Sequence, residues 1–263
     1  MSDSDTIIVA MRSGFDSLAG HVRDYSDEQL AGPTGADEWD VSQVLSHLGS
    51  GAEIAHTGLR AALEGKPGPV AEFNKTVWAR YDAAGRRERL EWFLTANEAL
   101  IQACESLDEE TRATLKIEAS YLPVPVDVAT MASGRLTEFA LHSWDVRAGA
   151  DTAATVAPEA TRLLLPRTVV VGGYLGKPEA LDGKRALIAV TTADPAAEFT
   201  LSLGDQIGVS EGVPEQSAGT LALPAEAWIR LLTGRLKAPY IPAGITTTGA
   251  TDLDLLRRVF PPF

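Results

Sequence analysis

The chain has 263 residues, 45% hydrophobic and 22% charged, a length that suits one large or two small domains and a balance that excludes wholesale disorder. Its 36 acidic against 23 basic residues leave a net charge of −13, a field that repels phosphate backbones and argues against general nucleic-acid binding. Cys104 is the single cysteine, which excludes an intramolecular disulfide and a four-cysteine zinc site.

The opening MSDSDTIIVAMRSGF is acidic and has no basic region leading into a long apolar core, so no secretory leader is expected. Apolar residues three and four apart (Ile7, Ile8, Met11, Phe15, Leu18, Val22) predict a first helix. After a loop containing Gly32, Pro33 and Gly35 comes Trp39. Asp40 is then placed to cap a second helix that carries Val41, Val44, Leu45, Leu48, Ile54 and Leu59 and ends near Gly65. A third helix is expected from about residue 75 to 107, with Gly85 as its candidate kink. Tyr121-Leu122-Pro123-Val124-Pro125 reads as an extended connector, and a fourth helix spans about residues 126–148. Four long amphipathic helices over residues 1–150 predict a bundle.

Residues 151–263 read as a separate, small α+β domain. Residues 158–171 suggest a linking helix, with Pro166 inside or ending it. Strand-type runs occupy residues 186–192, 198–203 and 217–222, separated by Asp, Pro and Gly turns. Pro224 opens a helix through Trp228, Leu231 and Leu232 that stops at Gly234, and a last helix covers residues 253–259. The richest apolar stretch, residues 163–175, is interrupted by Pro166 and Arg167. No run approaches the roughly 18 residues of a membrane span, so the chain is expected to be soluble and cytoplasmic, with no membrane partner.

The chain has four histidines, His21, His47, His56 and His142. Glu138 and His142, four apart on the predicted fourth helix, share one helical face. His47 lies on or beside the apolar stripe of the second helix, and metal sites in bundles are built from such facing side chains. Two imidazoles and one carboxylate form a hydrolytic-zinc ligand set with a fourth position for water or substrate. Spacing alone more often means hydrogen-bonded core histidines, so a bundle without metal stays open at this point. His21, at the end of the first helix, suits the helix dipole as a cation. His56, about two and a half turns from His47, points to the opposite face and is expected to meet solvent. Asp145, three residues beyond His142, falls on the same face as the cluster, either orienting a ligand imidazole or bridging to a bundle neighbour. Trp39 and Trp144 are expected to pack the core around the site, Asn74 to begin the third helix as its cap, and Cys104 to be a structural thiol.

The run from Glu38-Trp39-Asp40-Val41 to Ser46-His47-Leu48 resembles the Trp-x-Val-x-x-Val-x-x-His-Leu signature of DinB-like metalloproteins, and more narrowly the N-terminal domain of the mycothiol-dependent maleylpyruvate isomerase family. Glu138-Phe139-Ala140-Leu141-His142-Ser143-Trp144-Asp145-Val146-Arg147 is similar to that family's second motif, and Leu231-Leu232-Thr233-Gly234-Arg235 to its Gly-Arg segment. The resemblance implies a DinB-like metal-binding four-helix bundle over residues 1–150, then a sterol-carrier-like α+β domain over 151–263. It implies His47, Glu138 and His142 as ligands of Zn2+ or another divalent metal, and mycothiol as the low-molecular-weight thiol cofactor. It also implies an arginine of the C-terminal domain near the substrate, Arg235 by motif with Arg230 as fallback. The implied chemistry is thiolate attack on a small electrophilic substrate, as isomerisation or S-transfer, with Arg235 and Asp145 as catalytic candidates. Two other readings stay open: a metal hydrolase in which Asp145 serves as base to an activated water, and a non-catalytic module that binds a metal or a small ligand.

Overall fold

The computed structural model describes residues 3–262 and divides the chain into two compact units, Met1–Ala150 and Asp151–Phe263. In the first unit, α1 (Asp3–Val22) buries Ile8, Met11, Phe15, Leu18 and Val22, the stripe that a 3.6-residue repeat requires. After the single turn α2 (Asp27–Leu30), α3 (Val41–Leu63) starts at a full capping box. The Asp40 carboxylate accepts the Gln43 amide at 2.9 Å and the Gln43 side chain accepts the Asp40 amide at 2.9 Å.

The single third helix expected from the sequence is two helices, α4 (Ala71–Ala83) and α5 (Arg86–Glu105), parted at Ala84-Gly85 where both residues take extended backbone. The Arg89 guanidinium donates to the Tyr81 and Asp82 carbonyls that this break frees at the end of α4. Asn74 therefore lies inside α4 rather than capping it; its side chain is buried and Nδ2 donates to Ser120 Oγ at 2.9 Å. After α6 (Glu109–Thr114), β1 (Lys116–Ile117) and β2 (Val126–Asp127) pair antiparallel, so Tyr121, Leu122 and Val124 stand exposed at a hairpin tip instead of forming a linear connector. Asp127 caps α7 (Val128–Ala148).

Helix α1 packs on α5 and α7, and α3 packs on the same two, which closes a ring of four long helices. Phe15, Phe93 and Phe139 fill its centre with ring centroids 5.9–6.2 Å apart.

In the second unit, α8 (Pro158–Leu164) continues through a 3-10 turn at residues 165–167 into α9 (Thr168–Leu175). Pro166 sits in the first positions of that tight turn, where a missing amide hydrogen costs little. Five strands follow, β3 (Ala186–Ala193), β4 (Ala197–Leu203), β5 (Gly208–Glu211), β6 (Gly219–Pro224) and β7 (Thr246–Gly249), in the order β5-β4-β3-β6-β7. Strands β3 and β4 are antiparallel, with Ile188 opposite Leu201 and Val190 opposite Phe199; β3 and β6 are parallel. Their inward residues meet Trp228, Leu231 and Leu232 of α10 (Ala225–Leu232) and Leu256 of α11 (Leu253–Val259) in one core. Gly234 follows α10 at φ +69°, the left-handed backbone that stops the helix. Among the described residues no helix is long and apolar enough to cross a membrane.

Arg230 is buried in this core at 1% exposure. Its Nε and Nη2 donate to the two Glu226 carboxylate oxygens at 2.6 and 2.7 Å, and Nη1 donates to the Tyr240 carbonyl at 2.8 Å. A buried ion pair that loses one partner leaves an uncompensated charge and costs roughly 3–5 kcal/mol. Glu226→Ala should lower the urea unfolding free energy of the chain by about that much; a loss under about 1 kcal/mol, the worth of an exposed pair, contradicts the structural role given to Arg230.

Candidate metal centre

Two helix starts set the phase of the site. The Asp40 cap fixes where α3 begins and so turns His47 toward α7, while the Asp127 cap does the same for α7, where Glu138 and His142 stand one turn apart. His47 Nε2 and Glu138 Oε2 are 2.7 Å apart, and His142 Nε2 lies 3.5 Å from the same oxygen. The two imidazole centroids are 4.6 Å apart. One ligand atom from each of the three side chains falls within 4.8 Å of the others. His142 is buried, whereas the His47 and Glu138 side chains keep 39% and 40% exposure, so the cluster is reachable from one side.

Asp145 is fully buried and accepts His142 Nδ1 at 2.8 Å. With Nδ1 held by Asp145, the other ring nitrogen, Nε2, is the one turned toward the cluster, the arrangement by which carboxylates orient metal-binding histidines. Trp39 does not pack in the core as expected. It is 37% exposed and lies over the imidazoles, stacked on His142 at 5.9 Å and tilted on His47 at 5.2 Å. Trp144 is buried, as its helical position implies.

The first unit's other expected residues, His56, His21 and Cys104, are not among the converging ligand atoms. His56 is half-buried rather than solvent-facing, and burial, then Arg60, lower its pKa. His21 is exposed and hydrogen-bonded to Tyr25 at 2.7 Å; partial burial and the positive charge of Arg147 lower its pKa, which disfavours the cationic form that a helix end would attract. Cys104 is fully buried on α5, and burial, reinforced by Glu105, pushes its thiol up to about 12. In the C-terminal unit, Arg230 is occupied by Glu226, while Arg235 is half-buried with Nη1 donating to the Thr233 carbonyl at 3.2 Å. A charged residue that the sequence reading passed over is Arg135, buried on α7 one turn before Glu138; its spacing from Glu138 was the available signal.

Burial raises the pKa of the Glu138 carboxyl, but hydrogen bonds from His142 and His47 outweigh it and hold the group well below the usual glutamate range. The carboxylate is therefore favoured in its anionic form, the form that can ligate a metal. A depressed folded-state pKa contributes stability that is present above the ordinary value of 4.5 and is lost as pH falls through the folded value. The melting-temperature gap between metal-free wild type and Glu138→Gln should narrow on acidification below pH 4.5, and a gap that stays constant contradicts the assignment.

None of the curated proteins compared matches the chain. Solved structures do match it over its whole length. A histidine-to-alanine mutant of the mycothiol-dependent maleylpyruvate isomerase is 13% identical with TM-score 0.66, covering 100% of this chain and 97% of that one. A second structure of the mycothiol-dependent maleylpyruvate isomerase is 12% identical, again with TM-score 0.66 and the same coverage. At such low identity these likenesses establish a shared fold. The sequence model of the mycothiol maleylpyruvate isomerase N-terminal domain matches residues 11–147, more than half of the chain and a span that contains His47, Glu138 and His142. The chain belongs to the mycothiol maleylpyruvate isomerase family.

Proposed function

We propose that the chain is a metal-dependent, mycothiol-using enzyme that isomerises a small electrophile, as maleylpyruvate isomerase does, or transfers the thiol to it. The observation that carries this reading is the convergence of His47, Glu138 and His142 ligand atoms within 4.8 Å in a member of this family. The donor set fits a divalent ion: two imidazole nitrogens and one ionised carboxylate oxygen suit Zn2+ and leave a coordination position for an external ligand. A bound ion and mycothiol together supply a thiolate at neutral pH, where a free thiol of pKa about 8.5 is mostly protonated.

The chain's own residues do the rest. His47 and His142 offer neutral Nε2 lone pairs, and Glu138 offers a negative oxygen that offsets half of the ion's charge. Asp145 is a positioning residue. Its carboxylate is spent on His142 Nδ1 inside the protein, which favours the thiol reading over a hydrolase that would need Asp145 as an exposed base. Cys104, buried with its pKa near 12, is unsuited to be the nucleophile, so the thiol must come from outside the chain. Arg235, assigned by the Gly-Arg motif, supplies a guanidinium for a substrate carboxylate or a developing enolate. Arg230 is engaged by Glu226 and is no substitute.

Zinc-loaded wild type should turn over maleylpyruvate only with mycothiol present, lose activity to a chelator and regain it with added zinc, and Cys104→Ser should behave as wild type. His47→Ala should lose zinc by emission spectrometry. Turnover without thiol, or stoichiometric zinc in His47→Ala, contradicts the reading. Arg235→Ala should raise KM or lower kcat at unchanged zinc content, and unchanged kinetics remove it from the site.

A further inference from the structure

Arg135 and Arg230 are the buried arginines among the described residues, and their settings differ. Only 9% of Arg135 is exposed, and its one hydrogen bond runs from Nη2 to the Leu48 carbonyl at 3.0 Å. Its Nε is buried with no hydrogen-bond partner, and it forms no ion pair among the described residues. A carboxylate partner is not scarce in a chain with 36 acidic residues. Arg230, similarly buried, is closed by both oxygens of Glu226; Arg12 meets Glu98 and Glu105, Arg86 meets Asp40, and Arg112 meets Asp5. A guanidinium stays charged at every working pH, so a buried one with no carboxylate in ion-pair contact is expensive to keep.

The neighbouring helix is shaped around this group. A Cβ on Gly51 would sit 2.5 Å from Arg135 Nη1, so the guanidinium occupies room that only glycine leaves on α3. Gly51 follows His47 by one turn on α3, and Arg135 precedes Glu138 by about one turn on α7. Gly51 and Arg135 therefore lie on the same α3–α7 seam as the cluster, each about one helical turn from one of its members. The exposed Tyr121 at the β1–β2 tip and the Glu138 carboxylate both lie close enough to act on the guanidinium electrostatically.

We propose that Arg135 is the anion-recognition residue of this centre, binding the carboxylate of a small organic acid whose other end reaches the His47–Glu138–His142 cluster. Its Nε–H and remaining N–H groups are donors in a planar fork, the geometry that takes a carboxylate bidentately. The choice of an acid as substrate rests on the function proposed above; the anion site itself rests on Arg135, Leu48 and Gly51.

Maleate serves as the probe, titrated calorimetrically into zinc-free and zinc-loaded protein. Wild type should bind it with an affinity that falls as salt rises, and Arg135→Gln should weaken binding by about tenfold or more in both forms. Gly51→Ala keeps every charge but pushes the flexible end of Arg135 aside, and it should also weaken maleate binding while zinc content stays at the wild-type level. The second variant keeps the test decisive if Arg135→Gln does not fold. Maleate binding unchanged in Gly51→Ala and in folded Arg135→Gln overturns the proposal, as does a wild type that binds no maleate. A wild type that binds maleate through Arg135 but takes up no zinc would leave the anion site standing and sink the metal reading instead.

Discussion

The structure depends on one contact between distant parts of the chain: the 2.7 Å approach of His47 Nε2 to Glu138 Oε2 across the α3–α7 seam. A carboxylate in that setting is held ionised by the two imidazoles around it, and each imidazole is turned inward by something else. Asp145 holds His142 from behind, and Trp39 lies against both rings. Removing the seam would leave three ordinary polar side chains on two helices. With it, two nitrogens and an oxygen converge on a space open to solvent on one side, where an ion and an external ligand can meet.

Much of this was readable from residue order. The apolar stripes of α1 and α3, the Asp40 cap and the four-residue step from Glu138 to His142 are local patterns, and local patterns survive into the fold. What was not readable came from tertiary packing. Gly85 marks a kink in the sequence, but a full break into two helices does not follow from it because the apolar repeat continues on both sides; it is the Arg89 side chain that satisfies the freed carbonyls. Strand β7, Thr246–Gly249, has no alternating apolar face because it is an edge strand and mostly exposed, so it left no periodic trace. Trp39 reads as a core residue by type, yet its indole is spent on covering two imidazoles.

Arginines show the same division between sequence and fold. An arginine in an amphipathic helix is ordinarily a surface residue, and the step to Glu138 is the one local sign that Arg135 has another role. Its guanidinium lies against Gly51, far earlier in the chain, where a Cβ would meet Nη1 at 2.5 Å. Arg230 is buried too, but its partner is four residues away on the same helix, and that pair is a structural element of the second unit. One buried cation is neutralised within the protein. The other is left with a carbonyl and unfilled donors beside a cluster suited to a metal.

The chain's own thiol is deep in the core and strongly protonated, so the function proposed above requires both a resident ion and a thiol brought from outside. X-ray absorption at the zinc edge tests that requirement most directly. Zinc-loaded protein should show two imidazole scatterers and an oxygen donor at about 2.0–2.2 Å, and mycothiol should add one sulfur at about 2.3 Å. A spectrum without imidazole, or one that gains no sulfur when the thiol is added, would contradict the assignment.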